Sequence, residues 1–120
     1  MDEDEIKPVV WVGDAREQVQ AFPREVRQDV GSALFDVQKG VKPPQAKPFK
    51  GVASRVLEIV TRFETNTYRT VYAVKIGKRV YVLHAFQKKS PKGRKTATLD
   101  VKMISRRYKE AVEREKEHES

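Results

Sequence analysis

The sequence predicts a single α+β domain in the order β-α-α-β-β-β-α. An antiparallel sheet carries a helical hairpin on one face and is followed by a C-terminal helix. Three observations point to it. Residues 68–76 and 79–87 are Val- and Tyr-rich runs split by Gly77-Lys78, the pattern of a β-hairpin. Residues 24–41 place Val26, Val30, Ala33, Leu34, Val37 and Val41 at helical spacing, with Arg27, Gln28, Asp29, Asp36 and Lys39 on the other side. A chain of 120 residues holds one domain with a modest core.

Each element follows in turn. Residues 1–7 read as a disordered acidic start, 8–112 as the domain and 113–120 as a charged tail. Val9, Val10, Trp11 and Val12 form a short strand ended by Gly13. Asp14 and Glu17 match a capping box that opens a helix over 15–22. Pro23 then suits the first position of the next helix. Gly40 sits where a helix C-cap is expected, and a close helix contact is the expected reason for Gly31 in mid-helix. Residues 41–51, with Pro43, Pro44, Pro48 and Gly51, read as a loop. Lys42, Lys47 and Lys50 make that loop either a plain connector or a basic flank to a site.

Residues 55–64 alternate Leu57, Ile59 and Phe63 with Glu58, Val60 and Arg62, as in a strand covered on one side. Asn66 marks the turn into the hairpin. Thr96 caps a final helix whose apolar stripe is Ala97, Val101, Ile104, Tyr108, Ala111 and Val112, with a solvated Glu-rich end. The helical hairpin covers one sheet face and leaves the other concave and partly open.

Charge is concentrated rather than spread. The chain carries +8 overall, with a pI near 9.8. Residues 84–109 hold nine Lys or Arg against one acid, Asp100. Lys88, Lys89, Lys92, Arg94 and Lys95 crowd the link between the last strand and the last helix. Five cations cannot be desolvated together, so this link is a solvated loop or an anion-binding edge. The balance favours a polyanion partner. The chain has no Cys, which excludes disulfides, thiolate metal sites and thiol nucleophiles. Its two histidines, His84 and His118, are too few for an obvious zinc site, and no cofactor is expected. No run reaches membrane-spanning length and no signal peptide is visible, so the expected location is the cytoplasm.

The element order, the strand LEIVTRF, the Tyr68-Arg69 pair and the string VLHAFQKKSPKGRKT resemble the RelE/ParE toxin superfamily, in its phage-derived Gp49-like, HigB-like branch. The resemblance spans roughly residues 9–108. It implies a toxin of a toxin–antitoxin module. Members of the HigB and RelE type cleave mRNA on the ribosome without a metal, whereas ParE-type members inhibit DNA gyrase. A non-catalytic nucleic-acid-binding module is a third reading. The implied partners are a cognate antitoxin with a DNA-binding helix-turn-helix domain, the ribosome and its mRNA. Operator DNA is reached only through the antitoxin complex, and no membrane is involved.

Metal-free RNA cleavage needs an in-line 2′-OH, a proton acceptor, stabilised phosphorane charge and a proton for the 5′ oxygen. The resemblance places Arg69 at the phosphate and Lys88 and Lys89 beside it. His84 is the remaining catalytic candidate, expected on one strand face with Val82 and Phe86. A lone His among apolar neighbours is otherwise a hydrogen-bonded structural group. Arg62, Phe86, Lys92, Arg94 and Lys95 are the RNA-binding candidates, Phe86 by stacking on a base. The alternatives are core packing for Phe86, strand-edge protection for the lysines, and a Glu58–Arg62 ion pair that accounts for both residues without function.

Overall fold

The computed structural model describes residues 6–88 and 98–119. Within them run β1 (Val9–Trp11), α1 (Ala15–Gln20), α2 (Arg24–Gln38), β2 (Ala46–Pro48), β3 (Val56–Phe63), β4 (Asn66–Ile76), β5 (Arg79–Lys88) and α3 (Thr98–Glu119). One five-stranded sheet has the order β1-β5-β4-β3-β2. Thr96 and Ala97, the expected start of the last helix, lie outside the described residues.

The sheet is mixed, which corrects the wholly antiparallel expectation. β1 runs parallel to β5, pairing Val9 with Val80 and Trp11 with Val82. The cause is the path of the chain. After β1, the two helices carry it across the sheet to the far edge, and the meander β2 to β5 brings it back beside β1. A second correction is β2 itself, which lies in the expected loop. Lys47 faces Glu58 and Pro48 faces Leu57 across the β2–β3 pair. An outermost strand tolerates Pro, because its outer N–H has no ladder bond to lose.

Two apolar layers sandwich the sheet. Helices α1 and α2 and the link between them bury Val19, Phe22, Val26, Val30, Leu34 and Val37 against Ile59, Tyr68, Tyr72, Val80, Val82 and Ala85. On the opposite face, Ile104 and Ala111 of α3 join Val56, Val71, Ala73, Tyr81 and Leu83. Among the described residues, α3 therefore covers much of that face and leaves the end beyond its first turn uncovered.

Local signals explain most boundaries. Gly40 adopts φ +84°, and the Gly40 and Val41 amides donate to the Val37 and Asp36 carbonyls at 2.9 Å each, closing α2 in a Schellman motif. Asp14 does not form the expected capping box, since it makes no side-chain cap bond. Its carboxylate instead takes bonds from Gln18 Nε2 at 3.2 Å and Arg107 Nη2 at 3.0 Å, tying α1 to α3. Gly31 meets nothing within 4 Å of where a Cβ would stand, so no close helix contact requires it.

The acidic end of α3 is not simply solvated. Glu115 is buried, accepting from Tyr81 Oη at 2.8 Å and from Arg79 Nη1 at 3.0 Å. Gly77, at φ +61°, passes so close beneath this carboxylate that a Cβ would overlap it.

Candidate nucleic-acid interface

The open end of the sheet is best followed strand by strand. Lys47 of β2 pairs with Glu58 of β3, Glu58 with Val71 of β4, and Val71 with His84 of β5. The next row on the same face is Val60, Arg69 and Phe86. The outermost row is Arg62, Thr67 and Lys88. Strand alternation puts these charged side chains on the α3 face, just beyond the first turn of that helix.

Arg69 is the centre of this patch. Its Nη1 donates to Glu58 Oε1 at 2.8 Å, and the two side chains are only 13% and 9% exposed. Arg69 Nε is buried and has no partner among the described residues. Glu58 is thus paired with Arg69 rather than with Arg62, the partner offered by the alternative reading. Four residues along one strand separate that pair by about 13 Å of backbone, whereas Arg69 stands on the adjacent strand. Arg62 instead lines a cleft of about 350 Å³ with Glu25, Asp29, Gln45, Thr61 and Phe63, at the outer edge of β3.

Lys88 is half-buried at the end of β5. Burial draws its ammonium below the ordinary lysine value, and the Arg69 charge adds to that, as does Lys47. Glu58 opposes them. Arg69, Lys88, Lys47 and Glu58 thus share one electrostatic neighbourhood.

His84 lies on the same face, one pair along from the Arg69 row. The expected alternation with Val82 fails, because Tyr72 pairs with Val82 while Val71 pairs with His84, leaving Leu83 as an extra residue. Val82 packs under α1 and α2, while His84 turns toward α3. Its Nε2 lies 3.2 Å from Asp100 Oδ1, and its ring stacks on Phe86 with centroids 5.2 Å apart. Burial lowers the imidazole pKa despite the opposing pull of Asp100, so the ring is neutral near pH 7. A neutral ring donates to Asp100 through Nε2. That leaves Nδ1 an acceptor, buried and without a partner among the described residues.

Of the sequence candidates, the fold brings Arg69, Lys88, Phe86 and His84 onto one face and sets Arg62 at its outer row. Lys89, Lys92, Arg94 and Lys95 lie outside the described residues. The fold adds two groups that sequence reasoning did not place at a site, Glu58 and Asp100, and brings Lys47, one of the loop lysines read as a connector or a basic flank, opposite Glu58. Glu58 sat in the alternating strand as a polar-face residue, but only the β3–β4 register shows that it meets Arg69. Among the described residues no three His, Asp or Glu side chains gather as a metal site requires. No described helix is long and apolar enough to cross a membrane.

The family model described as Phage derived protein Gp49-like (DUF891) matches residues 17–109. The chain belongs to the Gp49-like family. This family lies within the RelE/ParE-like toxin superfamily. No curated protein matches the sequence. The Gp49-like match begins inside α1 and ends inside α3, so it includes Glu58, Arg69, His84 and Lys88. β1 and Glu115 fall outside it, while Arg79 and Tyr81, which bond Glu115, fall within.

Proposed function

We propose that this Gp49-like protein is the toxin of a toxin–antitoxin pair and cleaves mRNA on the translating ribosome, using the 2′-OH of the RNA itself as nucleophile. The observation that carries the reading is the largely buried Arg69 with half-buried Lys88 on the same face, at the end of the sheet that no described helix covers. A guanidinium presents two parallel N–H groups to a phosphodiester, and a neighbouring ammonium adds charge where the pentavalent phosphorus accumulates it.

Each proton has a candidate carrier. The 2′-oxygen bonds to phosphorus as its proton passes to a base, for which Glu58, 2.8 Å from Arg69, is the carboxylate in the cluster. The P–O5′ bond breaks as the 5′ oxygen takes a proton. Lys88 suits that donor role, because burial and Arg69 push its ammonium toward releasing one. His84 supports the patch from beneath, holding Phe86 on one side and the first turn of α3 on the other. The antitoxin silences the toxin, and it alone carries the complex to operator DNA.

The test is to induce wild type and Arg69→Ala in growing bacteria and to map RNA 5′ ends. Wild type should arrest growth and create new ends inside translated messages. Arg69→Ala should lose at least about 100-fold of the cleavage, the scale of removing one charge-stabilising donor. Growth arrest with intact messages and DNA-damage signalling would replace this reading with gyrase inhibition.

A further inference from the structure

Four charged groups meet at the open end of the sheet. Lys47 stands on the edge strand opposite Glu58, and Glu58 is bonded to Arg69. Lys88 lies on β5 in the row beyond Arg69, and its ammonium responds to Arg69, Glu58 and Lys47. Three cations around one carboxylate leave the cluster short of negative charge. Arg69 is also only partly used. A guanidinium offers five N–H donors. Nη1 is bonded to Glu58, while Nε is buried with no partner among the described residues.

Lys47 is held in place by its neighbours. Ala46 is buried in the core beneath α1 and α2, and Phe49 in the core beneath α3. The edge strand is therefore anchored on both faces of the sheet, while Lys47 itself remains exposed.

We propose that Glu58 is an internal counter-ion which an RNA phosphate displaces from Arg69, and that Lys47 of the edge strand joins Lys88 in holding that phosphate. The Glu58 carboxylate keeps the empty cluster neutralised enough to be buried. A phosphodiester that approaches side-on takes Nε together with one Nη, which satisfies the orphaned donor and gives the two-point grip a carboxylate on Nη1 alone does not. Lys47 and Lys88 then face two anions, the phosphate and the released Glu58. Three cations still exceed them by one. Edge strand β2 is thereby part of the binding surface. The proposal takes only the identity of its ligand from the RNA-cleavage reading.

The test measures binding rather than turnover. The probe is a short single-stranded RNA with 2′-O-methyl groups, which cannot be cut, titrated across a range of salt. Glu58→Gln should bind it several-fold more tightly than wild type. Lys47→Gln should bind several-fold more weakly, with a log–log salt slope reduced by about one. Equal or weaker binding by folded Glu58→Gln overturns the proposal, as does an unchanged slope in Lys47→Gln.

A second measurement avoids variants that fail to fold. Inorganic phosphate added to wild type should move the NMR signals of both the Glu58 carboxyl carbon and the Arg69 Nε–H. Movement of the Arg69 signal alone, or of neither, also overturns the proposal. If both exchange with phosphate while translated messages stay intact, the cleavage reading falls and the phosphate site stands.

Discussion

His84 and Glu115 show how single buried groups tie stability to pH in this fold. Burial holds the His84 imidazole below its ordinary 6.5, against the pull of Asp100 and, more weakly, Asp14, while Arg107 pushes the same way as burial. The folded value is the lower one, so the unfolded chain takes up the proton first. The stabilisation is complete above pH about 6.5 and is lost as pH falls through the folded value. Urea midpoints taken between pH about 7 and about 5 should therefore fall less in His84→Phe than in wild type.

Glu115 behaves differently. Burial raises its carboxyl, but the bonds from Tyr81 and Arg79 outweigh that and hold it below the ordinary 4.5. Its contribution is present above that value and lost as pH drops through the lowered one. Glu115→Ala strands the buried Tyr81 hydroxyl and the Arg79 guanidinium. The expected cost is about 2–3 kcal/mol by denaturant unfolding, at the lower end for a broken pair because Arg79 is partly open to water. Sequence composition marked Glu115 only as one acid in a charged tail. Nothing local reveals that a hairpin turn 38 residues upstream, at Gly77, leaves room for its carboxylate and no other side chain.

Among the elements, α2 offers the clearest correction. Gly31 lies exposed in mid-helix with open space where a Cβ would stand. Gly31→Ala should stabilise the protein by about 0.5–1 kcal/mol, seen as a rise in melting temperature. A loss of stability would mean that the glycine answers a contact made with another molecule.

Elements with strong local periodicity were legible. The β4–β5 hairpin, α2 with its Gly40 cap, and the α3 stripe all follow from spacing and turn residues. β2 was not, because Pro43, Pro44 and Pro48 signal a loop and three residues pair only with a partner already in place. The bulge at Leu83 was also hidden. One inserted residue moves His84 to the other side of the alternation from Val82, and sequence alone does not place such a slip.

At the scale of the whole molecule, the chain carries a net charge of +8, and three of its cations, Lys47, Arg69 and Lys88, come to one end of the sheet. The cation-rich segment of residues 88–95 reads from sequence as a solvated loop or an anion-binding edge, and of it only Lys88 is described; Lys88 shares a face and an electrostatic neighbourhood with Arg69. What could not be read was the counter-charge. Glu58, Arg69, Lys88 and Lys47 come from four strands and meet only through non-local pairing. The fold also decides which part of the sheet is open. α1 and α2 close one face, and α3, fixed by Ile104, Arg107 and Glu115, closes most of the other. Among the described residues, no helix covers the rim beyond its first turn.

The central claim is that this rim directs the RNA's own 2′-OH at its phosphodiester. The most direct measurement is the chemistry of the ends left when purified protein acts on ribosomes carrying a defined message. The account predicts a 2′,3′-cyclic phosphate on one fragment and a 5′-hydroxyl on the other, with both lost in Arg69→Ala. Fragments bearing a 5′-phosphate, or cleavage undiminished in Arg69→Ala, would contradict it.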